Sequence, residues 1–209
     1  DLCRWHSHRE FELHLIVATR GKAFVGDYIG EFRPGSLFLT GPYLPHNWVT
    51  DEITSRHVST RDMLVQFDQE SVNSLSLAFP EFDDMRPMFE LACSGIEFNS
   101  FDAKLVQRRL AEIRDSSGPS RILAFLQLLV EINQHAEMRQ LSVAAVTQPE
   151  DSNKHTRIAS VVDHITQHFA EEISLETAAE LACMSPTAFS RNFQKITGNR
   201  FLEFLNRVR

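Results

Sequence analysis

The chain has 209 residues, of which 43% are hydrophobic and 23% charged, an ordinary composition for one large or two small globular domains. No run of 18 apolar residues is present, which argues against a membrane span. Its three cysteines, Cys3, Cys93 and Cys183, are too widely spaced for a disulfide framework or a Cys-x-x-Cys zinc site, so we expect a cytoplasmic protein.

The net charge of −7 is unevenly distributed along the chain. Residues 154–209 contain 7 Lys+Arg and 6 Asp+Glu, a net charge of +1, which leaves −8 for residues 1–153. The acidity therefore belongs to the first three quarters of the chain. The nearly neutral last quarter raises no electrostatic objection to a nucleic-acid partner.

Between Glu10 and about Gln66 the pattern predicts β-strands. The stretches FELHLIVA, GKAFVGDYIGEF and PGSLFLTGPYLPHNWV are apolar or alternating, with Gly or Pro between them, and STRDMLVQF predicts one more strand. Short strands with no helix between them predict an antiparallel sandwich or small barrel.

Helical periodicity follows from residue 101. One stripe contains Leu105, Val106, Leu110 and Ile113. The stretch RILAFLQLLVEI has an apolar face wider than one neighbour requires, so we predict that residues 119–137 also pack on a second copy of the chain. The polar stretch AAVTQPEDSNKH, residues 144–155, is the predicted linker.

Two short helical patterns, separated by Cys183-Met184-Ser185, occupy residues 173–198. Ser174 and Ser185 are predicted N-caps, Pro186 the first residue of the second helix, and Gly198 its C-cap. Two such helices joined by a three-residue turn are typical of a helix-turn-helix, although a plain helical hairpin has the same pattern.

The outward face of the second helix is polar and basic, because its phenylalanines point inward. We predict that residues 186–196 lie in a major groove of DNA, with Arg191 reading a base and Lys195 contacting phosphate. The candidate DNA-binding residues are Ser185, Pro186, Thr187, Ser190, Arg191, Gln194 and Lys195.

A second candidate site lies near the start of the chain. His6, His8 and Glu12 share one face of a strand, because their numbers have the same parity, and His46 ends a later Pro/Gly-bounded stretch. The order His-x-His-x₃-Glu, with a late His, resembles the two cupin motifs. That resemblance implies either a divalent metal site for zinc, nickel or iron, or the polar lining of an organic effector pocket that includes Trp48.

Two further histidines, His14 and His57, are expected to be surface residues or satisfied core residues. No cofactor other than the possible metal is predicted.

The last part of the chain resembles the first helix-turn-helix of AraC/XylS-type transcriptional regulators. The residues that carry this resemblance are Leu175, Ala178, Ala179, Met184-Ser185-Pro186, Phe189-Ser190-Arg191, Phe193, Lys195, Thr197-Gly198 and the stretch FLEFLNRVR. Family members often have Gly at the position of Cys183, which is tolerable here if that turn is not strongly left-handed.

The resemblance implies an α+β protein: a cupin-like antiparallel β-barrel for effector binding in residues 1–100, a helical connector and dimerisation region in 101–143, the linker in 144–155, and a helix-turn-helix subdomain with the start of a joining helix in 156–209. It further implies a non-enzymatic, ligand-responsive regulator, with DNA, a sugar or organic acid, a second copy and RNA polymerase as partners and no membrane. The family carries two helix-turn-helix units, so the second one is expected to be absent from this sequence and DNA binding to be weak.

Two other functions remain open at this point. A metal-dependent cupin enzyme, such as a dioxygenase or isomerase with a helical appendage, would use the same histidines and Glu12. A structural dimerisation module would explain residues 101–137 only. An outward polar face on the second helix favours DNA binding over both, because neither alternative needs it.

Overall fold

The structure, a computed structural model, describes residues 4–51, 60–143 and 152–209. The strands of that part of the chain are β1 (Glu10–Ile16), β2 (Gly21–Val25), β3 (Tyr28–Phe32), β4 (Leu37–Thr40), β5 (His46–Thr50), β6 (Asp62–Asp68), β7 (Ile96–Asn99) and β8 (Glu137–Gln140). The helices are α1 (Gln69–Ala78), α2 (Arg86–Ala92), α3 (Ala103–Asp115), α4 (Gly118–His135), α5 (Ser152–Gln167), α6 (Leu175–Leu181), α7 (Pro186–Thr197) and α8 (Phe201–Val208), with a 3₁₀ helix at Pro80–Met85.

The strands form two antiparallel sheets. One has five strands in the order β6-β1-β4-β7-β8, and the other has three in the order β3-β2-β5. An isolated bridge pairs His6, which precedes β1, with His46 of β5, with N···O distances of 3.1 and 2.9 Å. The predicted α+β class is confirmed, but the pairings among the described residues do not close into the expected barrel.

Side-chain alternation along β1 separates two cores. The odd-numbered residues Phe11, Leu13 and Leu15 are buried against α1–α4. The even-numbered residues face the space between the sheets, where Ile16 belongs to a smaller core that also contains Phe38 of β4 and Trp48 of β5. The period of two thus places one face of β1 on helices and the other toward the second sheet.

The outer face of the three-stranded sheet carries the last four helices. Phe24 shares a buried cluster with Trp5 and with the apolar sides of α5–α8. Polar contacts border this cluster: Arg207 donates to the carbonyl of Asp27 at 2.8 Å, and Lys22 Nζ donates to the carbonyl of Val208 at 2.5 Å. The fold is therefore four layers: helices, sheet, sheet and helices.

Two segments differ from the sequence-based expectation. Residues 137–140, inside the predicted helical connector, form β8, which pairs with β7 at the edge of the five-stranded sheet. Of the predicted linker, residues 144–151 lie outside the described residues, and α5 already begins at Ser152. The stretch EMRQ is short and mostly exposed, so it has no apolar alternation that would predict a strand.

Helix caps in the last part of the chain follow the sequence. Ser174 Oγ accepts from the Thr177 amide at 3.0 Å, and Ser185 Oγ accepts from the Ala188 amide at 3.3 Å. Gly198 ends α7 with φ 71°, the left-handed C-cap conformation. The condition under which Cys183 was expected to be tolerable is not met: its φ is 51°, so a non-glycine residue occupies a left-handed position in the turn between α6 and α7.

Helix α4 buries only part of its apolar face. Leu128, Leu129 and Ile132 are buried in the core, whereas Ile122 and Leu123 are 58% and 68% exposed. The structure therefore leaves an apolar strip uncovered on this helix.

No helix in the described ranges is both long and apolar enough to cross a membrane.

Candidate functional site

Three histidines and one glutamate converge at the corner where the two sheets meet. Each of His6, His8, Glu12 and His46 offers one ligand atom, and these four atoms lie within 4.8 Å of one another. Glu12 and His46 are buried, while His6 and His8 are half-buried, so the cluster reaches the surface on one side. The ring centroids of His6 and His46 are 4.5 Å apart, and those of His8 and His46 are 5.1 Å apart.

The backbone fixes the tautomer of all three imidazoles. In each ring Nδ1 lies within hydrogen-bond distance of a carbonyl oxygen, which can only accept, so Nδ1 carries the proton and Nε2 a lone pair in the neutral ring. These Nδ1–O distances are 2.6 Å for His6 to Arg4, 3.0 Å for His8 to Glu10 and 2.8 Å for His46 to Leu44. When neutral, each ring therefore presents Nε2 as an acceptor. Burial lowers the pKa of His8, but its contact with Glu12 raises that pKa overall, so this ring donates to Glu12 Oε2 when it is protonated.

Acceptors that face one another favour a cation between them. His46 Nε2 is 3.7 Å from Glu12 Oε1 and has no hydrogen-bond partner among the described residues. Burial lowers the pKa of His46 to about 3, which keeps this ring neutral near pH 7. Three imidazole lone pairs and one carboxylate are a donor set that suits zinc, nickel or non-haem iron, so the residues fit a divalent metal.

Glu12 is held on both of its oxygens. Its Oε1 accepts from His14 Nδ1 at 2.9 Å, and its Oε2 accepts from Gln66 Nε2 at 2.9 Å and lies 3.4 Å from His8 Nε2. Burial alone would raise the pKa of Glu12, but the hydrogen bonds from His14 and His8 hold that pKa well below its usual range. The buried side chain is therefore a carboxylate.

Trp48, the fifth predicted pocket residue, lies deeper between the sheets. Its side chain is buried, with the ring stacked on Phe38 at a centroid distance of 4.5 Å and 6.2 Å from the ring of His46. The structure thus places Trp48 behind the cluster as part of the inter-sheet core.

Sequence reasoning missed three residues that surround the cluster. His14, expected to be a surface or a satisfied core histidine, is buried. Its Nδ1 is bonded to Glu12, and a second carboxylate, Asp62, lies 3.2 Å from its Nε2. Parity would have placed His14 on the face of Glu12. The positions of Gln66 and Asp62 beside the cluster depend on the register of β6 against β1. His57 lies outside the described residues.

The predicted DNA-binding residues form a second candidate site on α7. Phe189 and Phe193 are buried, which turns the opposite side of the helix to solvent. Thr187, Arg191 and Lys195 are among the residues that line a shallow, open groove along this side. The structure leaves all seven exposed: Ser185, Pro186, Thr187, Ser190, Arg191, Gln194 and Lys195.

A cleft of about 440 Å³ lies between the first described residues and α5. Its lining includes His6 on one side and Asp163 on the other. The cluster and the helical layer therefore border the same cleft.

No protein-family model and no curated protein matches the chain. Solved structures that resemble it include ToxT from Vibrio cholerae O395, bound to (E)-4-(8-methylnaphthalen-1-yl)but-3-enoic acid, with 10% identity and a TM-score of 0.33 over 99% of this chain and 94% of that chain. Another is the AraC-like transcriptional activator CuxR, with 10% identity and a TM-score of 0.37 over 96% of this chain and 65% of that chain. TM-scores of this size do not establish a common fold, so the function is inferred from the residues of this chain.

Proposed function

We propose that this chain is a ligand-responsive, DNA-binding transcriptional regulator. The observation that carries the proposal is α7: a helix capped by Ser185 and Gly198, entered from α6 through a tight turn at Cys183, with an uncovered polar and basic side. This is the arrangement by which a recognition helix enters the major groove.

Arg191 is the residue best suited to read a base. Its side chain is exposed in the second turn of α7. A guanidinium offers a planar pair of donors that matches O6 and N7 of guanine. Thr187 and Ser190 flank it nearer the start of the helix, and Lys195 lies one turn further along, where it would contact phosphate.

Selection of binding sites from a random DNA library tests the proposal directly. We expect the chain to enrich a short motif, and Arg191→Ala to lose the preference at one base position at a cost of about 1–3 kcal/mol. Arg108→Ala provides a matched control, because Arg108 is also exposed but lies on α3. An unchanged motif for Arg191→Ala would show that α7 does not dock in this way.

For the sensory part, we propose a divalent transition metal at His6, His8, Glu12 and His46. The three Nδ1–carbonyl bonds support a metal over an organic effector, because in the neutral rings they leave the Nε2 lone pairs facing the centre of the cluster beside the Glu12 carboxylate. When bound, the ion would neutralise these acceptors and tie the segment before β1 to β5. An organic acid or sugar in the cleft beside His6 is the alternative effector.

Metal competition with a chromophoric chelator distinguishes these effectors. We expect stoichiometric Zn²⁺ binding, and loss of most of the affinity in His8→Ala, since a three-ligand remnant holds the ion poorly. His155→Ala, which changes a histidine of the cleft outside the cluster, is the control. If Zn²⁺ does not bind while sugars or organic acids raise the melting temperature, the effector is organic.

An enzymatic role would use the same cluster. Bound iron with oxygen uptake in the presence of organic acids would favour a cupin enzyme over a regulator. The uncovered polar side of α7 supports the regulator, because turnover at the cluster would not require it.

A further inference from the structure

Glu12, His14 and Asp62 form a row of side chains that starts at the cluster and runs along β1 and β6. His14 is 2% exposed and lies between two carboxylates, with Nδ1 2.9 Å from Glu12 Oε1 and Nε2 3.2 Å from Asp62 Oδ2. The Asp62 contact is close enough for an ion pair, although it lies off the ideal hydrogen-bond direction. Each ring nitrogen of His14 therefore lies beside a carboxylate oxygen, one from β1 and one from β6.

Strand register brings this row together. Glu12 and His14 point to the same side of β1, and antiparallel pairing with β6 sets Gln66 opposite Glu12 and Leu64 opposite His14. Asp62, two residues from Leu64, points to the same side as His14. Both strands lie within one sheet, so the row has a rigid support.

The row and Gln66 together fix the carboxylate of Glu12 in two places. His14 holds Oε1 and Gln66 holds Oε2, each at 2.9 Å, so rotation of the carboxylate would break one bond or the other. Each oxygen accepts from its partner along one direction and keeps a second lone pair. The side chain of Glu12 is thereby set against the three Nε2 atoms without any contribution from a ligand.

We propose that His14, Asp62 and Gln66 are positioning residues that act through Glu12, so that the cluster is preorganised for a divalent metal. The proposal rests on the metal site described under Proposed function. Groups that orient a metal ligand from behind change metal affinity by about 10- to 100-fold when they are removed.

Metal affinity and ligand-field spectra of the 209-residue chain test this role. We expect His14→Phe, which keeps a ring but removes the donor, to weaken Zn²⁺ binding about 10-fold or more and to shift the visible bands of bound Co²⁺. Asp62→Asn and Gln66→Met should produce smaller losses in the same direction. Asp62→Glu restores the carboxylate and should recover most of the affinity.

Asp83→Asn is the matched control, because Asp83 forms an exposed ion pair with Arg86 far from β1 along the chain. Circular dichroism establishes that each variant is folded. Asp62 is half-buried and Gln66 is exposed, so their variants keep the test intact if the buried His14→Phe unfolds the chain.

The outcomes separate the two proposals. If the wild-type chain binds neither Zn²⁺ nor Co²⁺, the metal site itself is wrong and this inference is overturned with it. If the wild-type chain binds metal but folded Asp62→Asn and Gln66→Met variants match its Kd and its Co²⁺ spectrum, the positioning role alone is overturned.

Discussion

Trp5 and His6 are adjacent in sequence, yet their side chains belong to different layers of the protein. The ring of His6 lies 4.5 Å from the ring of His46, in the cluster that also contains His8 and Glu12. The ring of Trp5 packs edge-on against Phe204 of α8 at 6.4 Å, and its backbone amide donates to Asp163 of α5 at 2.9 Å. A single peptide bond therefore connects the candidate sensory site with the helical layer.

Removing the Trp5 ring should loosen the packing of α5–α8 on the three-stranded sheet. We expect Trp5→Ala to lower the free energy of unfolding by about 3–5 kcal/mol, because the ring is 4% exposed in a cluster of aromatic side chains. Trp5→Phe should cost much less, since it retains a ring. Urea denaturation measures both, and a loss below about 1 kcal/mol for Trp5→Ala would contradict this packing.

Cys183→Gly should stabilise the protein. A non-glycine residue at φ 51° costs about 1–2 kcal/mol, and the added freedom of glycine in the unfolded chain costs about 0.4–1 kcal/mol, so the net gain is up to about 1.6 kcal/mol. Cys93→Gly is the control, because φ at Cys93 is −61° and glycine offers no relief there. Thermal unfolding that shows no rise for Cys183→Gly would contradict the strain.

The uncovered strip on α4 should form a homodimer interface. We expect the chain to sediment as a dimer at micromolar concentration and Leu123→Glu to sediment as a monomer, because a buried charge would oppose helix-to-helix packing. Leu123 is 68% exposed in the single chain, so this change should leave the fold intact. Leu77→Glu, at an 88% exposed site on α1, should leave the dimer unchanged. A wild-type chain that is monomeric under these conditions would exclude the interface.

Lys195→Ala should weaken DNA binding without changing the selected sequence. A lysine that neutralises one phosphate releases about one counterion, so we expect the slope of log K against log salt to become shallower by about one. Fluorescence anisotropy at several salt concentrations measures this slope. Lys104→Ala, which removes an exposed lysine on α3, should keep the wild-type slope. Equal slopes for all three proteins would place Lys195 away from the DNA backbone.

The helix-turn-helix is the part of this protein that the sequence determined most fully. Ser174, Ser185 and Gly198 act within a few residues of their own backbone partners, so local spacing was enough to predict where α6 begins and where α7 begins and ends. The left-handed conformation of Cys183 was not predicted, because it depends on the angle at which α7 packs back on α6.

The residues of the cluster could be predicted from the sequence, but the side chains that surround them could not. Parity placed His6, His8 and Glu12 on one face of the chain. The tautomers, the position of His46 and the contacts of Glu12 depend on backbone carbonyls and on β5 and β6, which are distant in sequence. Strand pairing over that distance is decided by burial of the whole apolar face, so only the tertiary structure set the register that brings Asp62 and Gln66 to Glu12.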